Sequence, residues 1–194
     1  MKNTALLPSH QIICAPGRPY VLETSRLLLS RVMSEDLDFY QQLFQSEQAT
    51  RYLINQSVFS EQEIIATLEQ RLSHWQRYGF GAFTLVQKGS QRKIGYVAVE
   101  VVAGNTQYVE LHFALLPEFS GYGFATEAGK ACIDFAFALG RDSYIFGVAR
   151  SENINSLRVL EKLGMNSCQQ LGLQRPDLYP AAEVTILVLT RRSF

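Results

Sequence analysis

Apolar and polar positions alternate along some stretches of the chain and recur at helical intervals along others, and the switches between these periods divide it into elements. Residues 21 to 32 read as one strand, after which Ser34, Glu35 and Asp36 open a helix carrying Leu37, Tyr40 and Phe44. A second helix begins after Ser60. Glu63 stands three residues on, a capping-box spacing, and Ile64, Ile65, Leu68 and Leu72 recur through to Trp75 before Gly79 ends the run. Three strand-like runs follow at residues 80 to 87, 93 to 102 and 107 to 116, separated by the hairpin signals of residues 88 to 90 and 103 to 106. Ala125, Ala128, Cys132, Phe135, Ala136 and Leu139 then mark one helical face that stops at Gly140, and residues 143 to 149 form a strand, which implies a parallel crossover. A short helix over residues 152 to 163 ends at Gly164, and residues 184 to 190 are β-rich. This order predicts an α/β (α+β) fold, a mixed sheet with helices on both faces and not a regular doubly wound one.

Residues 1 to 20 carry Pro8, Pro16, Gly17 and Pro19 without sustained periodicity. They are expected to form an N-terminal extension that packs loosely or against a partner subunit, an arrangement compatible with a homodimer, and residues 21 to 194 to form a single domain. A length of 194 residues with 47% hydrophobic content suits one well-filled core. Eighteen basic and eighteen acidic residues cancel, so nucleic acid and anionic membrane are not the expected partners; a small molecule or a peptide is. Cys14, Cys132 and Cys168 are odd in number and widely spaced, against a disulfide framework or a metal site. A reducing cytoplasm fits, and neither a signal peptide nor a bilayer-spanning run is apparent.

The most informative segment is residues 110 to 128, where an alternating strand passes through Gly121 and Gly123 directly into the apolar-periodic helix. Such a turn lets the backbone approach a ligand closely, and the first helical turn leaves N–H groups without internal partners beside about half a positive charge. That is a cradle for phosphate.

Three motifs in order carry a family resemblance. Leu22, Glu23, Thr24, Ser25, Arg26 and Leu27 through Arg31 precede Ser34-Glu35-Asp36-Leu37; Gly121, Tyr122, Gly123, Phe124, Ala125, Thr126 and Glu127 follow Glu110; and Asn153, Ile154, Asn155 and Ser156 lead to Gly164. Over roughly residues 21 to 190 the chain resembles the GNAT superfamily of acetyl-coenzyme A-dependent N-acetyltransferases, in the bacterial branch typified by ribosomal-protein N-terminal acetyltransferases. The resemblance implies a mixed, mostly antiparallel central sheet with a splayed parallel strand pair at the cofactor site. It implies acetyl-CoA as cosubstrate, its diphosphate on the amides of Gly121, Tyr122, Gly123, Phe124 and Ala125 without a metal, and its pantetheine arm against the strand at Phe113 and Leu115. Asn153 would bind that arm and the Ser156 hydroxyl would meet the thiol, as hydrogen-bond donor or acid. Where many relatives keep a tyrosine acid this chain has Leu160, which adds weight to Ser156. Glu118 stands where the family usually has Gln or Arg, and Ser120 and Tyr122 stand where it often has basic residues, so moderate phosphate affinity is expected.

Strand alternation puts Glu110, His112 and Ala114 on one face and Leu111, Phe113 and Leu115 on the other. Glu110 occupies the family's position for the base that deprotonates the amine, usually through water, and His112 is the competitor because its ordinary pKa lies nearer neutrality. The expected reaction is direct transfer to a primary amine, either a protein N-terminus or a small molecule. An α-amine with a pKa near 8 is partly neutral at pH 7, whereas a lysine amine near 10.4 is almost wholly protonated. Tyr52 and Phe59, and later Tyr179, are candidates for the acceptor pocket. Two rivals stand beside this reading. A dinucleotide fingerprint over Gly121, Gly123 and Thr126, with Asp142 as ribose ligand, lacks its third glycine and the required strand-helix order. A non-catalytic acyl-coenzyme A binding domain would retain the glycine loop without using Glu110 or Ser156.

Overall fold

The alternating run of residues 21 to 32 folds as parts of two strands instead of one. The computed structural model describes residues 12 to 15, 18 to 53, 57 to 102, 108 to 140, 144 to 177, 179 and 183 to 191, with side chains from residue 22 onward. Strands β2 (Arg18–Glu23) and β3 (Leu27–Arg31) pair antiparallel across a tight turn in which Thr24 N–H donates to the Leu27 carbonyl at 3.0 Å and Leu27 N–H to Thr24 Oγ1 at 3.0 Å. No glycine, proline or asparagine marks that turn, and period-2 alternation does not reveal a reversal. Strand β1 (Ile12–Ala15) pairs antiparallel with β2, so the sheet begins before the residue at which the periodicity starts. An edge strand can be held by backbone pairing with one neighbour, without an apolar pattern of its own. The rest of the expected extension, the hairpin signal at 103 to 106, Asp142 and Ser143 lie outside the described residues.

Helix α1 (Leu37–Phe44) and the single-turn α2 (Glu47–Thr50), capped by Ser46, lead to α3 (Glu61–Tyr78). The entry to α1 is organised by Asp36 and not by Ser34: buried Asp36 accepts from Met33 N–H at 3.0 Å and Thr84 Oγ1 at 2.7 Å and pairs with Lys93 at 2.6 Å. Helix α3 starts as its pattern predicts, with the reciprocal Ser60–Glu63 capping box, and ends at Gly79 with φ +74°. Strands β4 (Ala82–Gln87), β5 (Lys93–Val101) and β6 (Val109–Leu115) form the meander. Then come α4 (Phe124–Ala138), β7 (Tyr144–Arg150), α5 (Ile154–Lys162), the short β8 (Asn166–Ser167) and β9 (Val184–Thr190). The sheet runs β1-β2-β3-β4-β5-β6-β7-β9-β8, and every pairing is antiparallel except β6 with β7. Among the described residues no helix is long and apolar enough to cross a membrane.

Register assigns the faces. Tyr96, Ala98 and Glu100 of β5 stand opposite Ala114, His112 and Glu110 of β6. Tyr96 meets Tyr40 and Phe44 of α1 at centroid distances of 6.1 and 5.8 Å, so α1 and α3 cover the Glu110 face. The opposite face presents Phe83, which packs edge-on at 5.6 Å against Phe135 of α4. Helix α5 lies on that second face: a Cβ on Gly147 would come within 2.6 Å of Leu160 and 2.8 Å of the Met165 sulfur, so β7 needs glycine there for the helix to dock. The main core spans α1, α3, α4, strands β2 to β6 and, through Ile145, Leu160 and Leu189, parts of β7, α5 and β9, whereas Phe146, Cys168, Val184, Ile186 and Val188 form a second cluster on the other side of β7 and β9.

Candidate active site

The parallel ladder between β6 and β7 is short. It pairs Glu110 with Phe146 and Leu111 with Gly147, after which the strands diverge. Residues 112 to 115 of β6 and 148 to 150 of β7 therefore flank an opening. This is the splayed pair expected from the resemblance. Phe113 and Leu115 pack their side chains against the main core, so what they offer a ligand is backbone.

Beyond β6, the turn Pro117–Phe119 leads into the glycine loop, where Gly121 and Gly123 take φ +84° and +82°. Gly123 is the N-cap of α4, and no side chain caps that helix, whereas α3 and α5 are capped by Ser60 and Asn153. Glu127 N–H donates to the Gly123 carbonyl at 3.0 Å, and the N–H groups of residues 121 to 126 have no acceptor among the described residues. Open donors, the helix dipole and two left-handed glycines make an anion cradle. Tyr122 is 65% exposed, whereas Phe124 and Ala125 are buried and can contribute only main chain. Glu118 does not oppose an anion unaided, because Arg92 pairs with it at 3.0 Å while lying 4.9 Å over the Phe119 ring.

Asn153 and Ser156 stand on the first turn of α5, past the end of β7. Asn153 Oδ1 accepts from Ser156 N–H at 3.1 Å, so the N-cap role accounts for that oxygen. Asn153→Ala is expected to lower stability by about 1 kcal/mol through loss of the cap, with Asn153→Asp restoring most of it; urea unfolding midpoints check this.

Glu110 is 2% exposed on the other face, at the line where the strands part. Tyr179 donates its hydroxyl proton to Glu110 Oε2 at 3.1 Å, and His112 Nδ1 lies 3.6 Å from Oε1. Burial, followed by the nearby carboxylate, pushes the Tyr179 pKa up, so it acts as a neutral donor. Its segment is tied down by Arg175, which donates to the Tyr179 and Pro176 carbonyls at 3.0 and 3.5 Å. The base candidate thus sits between the main core and the second cluster, and Tyr179, considered from sequence as a pocket wall, touches it directly. Phe59 stacks at 4.8 Å on Phe44 and belongs to the wall of the main core, while Tyr52 is 36% exposed.

Three further groups on this side of the sheet escape sequence patterning. Arg71 is buried on α3, donates to the Tyr40 hydroxyl at 3.0 Å and lies 3.8 Å over Tyr96. Burial works against its charge, but Tyr40, Tyr96 and Glu100 outweigh that and keep it protonated; Tyr40 in turn is raised to about 12, chiefly by burial. Glu100, the cross-strand partner of Glu110, has a buried Oε1 without a hydrogen-bond partner among the described residues. His74 braces this end of β5 by accepting from Val101 N–H at 2.9 Å and contacting the Phe80 carbonyl at 2.8 Å, which assigns the ring proton to Nδ1; burial lowers its pKa.

Comparison with known proteins agrees with this architecture. The family model described as "Acetyltransferase (GNAT) domain" matches residues 26 to 166. The probable N-acetyltransferase YjcK of Bacillus subtilis is 30% identical over 136 residues, 70% of this chain and 71% of that protein. Two solved structures share the fold. One is a ribosomal L7/L12 α-N-protein acetyltransferase, RimL, in complex with coenzyme A, at TM-score 0.69 and 14% identity, covering 88% of this chain and 97% of that one. The other is a spermidine N-acetyltransferase from Vibrio cholerae in complex with CoA and spermine, at TM-score 0.68 and 18% identity, covering 88% and 98%. The match across most of its length, on a sheet that parts beside an open helix N-terminus, makes this chain a member of the GNAT family of N-acetyltransferases.

Proposed function

We propose that this enzyme transfers an acetyl group from acetyl-CoA directly to a primary amine, with the two substrates meeting in the opening between β6 and β7. The observation that carries this reading is the uncapped N-terminus of α4 beside the divergent strands, with a buried carboxylate on the opposite face. The diphosphate would lie on the amides of residues 121 to 125, and the pantetheine arm would pair in strand fashion with the edge freed after Leu111. The amine would approach over the Glu110 face. Glu110 takes a proton from the ammonium, through water where one intervenes, and the neutral nitrogen attacks the thioester carbonyl. As the tetrahedral intermediate collapses the C–S bond breaks and the proton left on the attacking nitrogen passes to the departing thiolate, to which Ser156 donates a hydrogen bond or relays that proton. The described cysteines support direct transfer, since burial raises the pKa of both Cys132 and Cys168 and leaves them poor nucleophiles near neutrality.

Glu100 and Glu110 give the acceptor face two carboxylates against the cation of Arg71, which suits a positively charged amine. Proteins with nearly equal likeness to this chain carry names for a ribosomal-protein α-amine and for spermidine, so the fold does not choose between a protein N-terminus and a small molecule. The lower pKa of an α-amine asks less of Glu110 and favours an N-terminal acceptor, in a reducing cytoplasmic setting. Incubation with acetyl-CoA and a panel of peptides, polyamines and aminoglycosides, read by mass, is expected to show a 42 Da gain on an amine. Coenzyme A binding without transfer to any amine would instead identify an acyl-coenzyme A sensing domain, and no binding at all would overturn the whole reading.

A further inference from the structure

The glycine loop is conformationally permissive by itself, so something outside it must hold its amides in one direction. The turn between β2 and β3 is clasped onto α4 at that place. Glu127 Oε1 accepts from Thr24 Oγ1 at 2.6 Å, Ser25 Oγ at 3.0 Å and Arg26 N–H at 2.9 Å. Its Oε2 takes Arg26 Nε and Nη2, both at 2.7 Å. Burial raises the Glu127 pKa, but the bonds from Thr24, Arg26 and Ser25 together outweigh it and hold the carboxyl below its ordinary value. With the guanidinium so oriented, Arg26 Nη1 donates to the Tyr122 carbonyl at 2.9 Å, the plane lies 4.4 Å over the Phe124 ring, and Nη2 is 3.6 Å from where a Cβ on Gly123 would stand. Lys88 adds a further clasp, its ammonium donating to the Thr24 carbonyl and its amide to the Arg26 carbonyl at 3.0 Å.

We propose that Arg26, aimed by Glu127, is the positioning residue that sets the direction of the loop's amides toward the diphosphate. The Tyr122 carbonyl and the Gly123 N–H belong to one planar trans peptide and point to opposite sides of the chain. Holding the oxygen on the guanidinium therefore turns the N–H away from Arg26. Without that hold, the Tyr122–Gly123 peptide can rotate at low steric cost on its glycine side, presenting a carbonyl oxygen to the anion instead of a donor. The inference rests on reading the loop as a diphosphate cradle.

The test compares coenzyme A with pantetheine, which lacks the diphosphate and nucleotide, by calorimetry on the full chain. Arg26→Ala is expected to weaken coenzyme A about tenfold, the effect of one misdirected hydrogen bond, and to leave pantetheine binding unchanged. Arg26→Lys keeps the charge but cannot fork between Glu127 and the Tyr122 carbonyl, so it should behave like Arg26→Ala, and Arg26→Ala in a Glu127→Gln background should cost little more. Arg26→Lys also serves if Arg26→Ala melts too low to assay. Wild-type coenzyme A affinity in Arg26→Lys, or equal losses for both ligands, would overturn the proposal while leaving the cradle intact. Failure of the wild-type chain to bind coenzyme A would instead remove the cradle, and this proposal with it.

Discussion

Glu110→Gln is expected to reduce turnover near pH 7 by about a hundredfold or more while coenzyme A binds with unchanged affinity. The glutamine is nearly isosteric and can still accept the Tyr179 hydroxyl through its amide oxygen, so the buried contact at 3.1 Å survives and the fold is undisturbed. What disappears is the capacity to take a proton from the ammonium. Glu110 sits on the face away from the glycine loop's helix, so a defect in turnover with intact cofactor affinity is the signature of its position. His112, with 36% of its side chain exposed and its Nδ1 at 3.6 Å, provides the internal comparison. His112→Ala should lower the rate much less, and single-turnover measurements of thiol release in the two variants check the assignment. A normal rate in Glu110→Gln with a large loss in His112→Ala would transfer the role of base to the imidazole.

Gly123→Asp should weaken coenzyme A by about a hundredfold, with only a small drop in melting temperature. Gly123 is the N-cap of α4 at φ +82°, outside the extended conformation from which an aspartate side chain reaches the first-turn amides. The left-handed φ of +82° costs a residue with a Cβ about 1 kcal/mol, and the new side chain starts 3.6 Å from Arg26 Nη2. The aspartate carboxylate places a negative charge beside the donors that a diphosphate needs. At roughly 5 Å and an effective dielectric of about 20 it also repels each negative charge by about 3 kcal/mol. The loss of affinity thus exceeds the loss of stability, and calorimetry with coenzyme A beside a thermal melt separates them. Unchanged affinity in Gly123→Asp would remove the loop from the cofactor site.

The helices were legible because their signals are local. The capping box at Ser60 and Glu63, the stop at Gly79 and the apolar recurrence from Ala125 to Leu139 each lie within one or two turns of the residues they govern. The glycine loop was legible for the same reason: positive φ at Gly121 and Gly123, followed directly by an uncapped helix, is written into consecutive residues. The β2–β3 turn was not, since Thr24 and Ser25 reverse the chain with help from Glu127, more than a hundred positions away in sequence. Asp36 displaced Ser34 at the entry to α1 because its partner Thr84 comes from a distant strand.

By itself the sequence determined the order of elements, the family motifs, the face on which Glu110 stands and the open turn at Gly121 and Gly123, all consequences of period and local backbone preference. Tertiary structure alone decided where β6 and β7 part, that Tyr179 reaches Glu110, that Arg71 is buried beneath the Glu110 face and that Arg26 grips the Tyr122 carbonyl. Each of these joins residues far apart in the chain through side-chain reach and burial. A one-dimensional pattern records which face a residue takes, whereas its partner is set by the packing of elements that meet only in the folded protein.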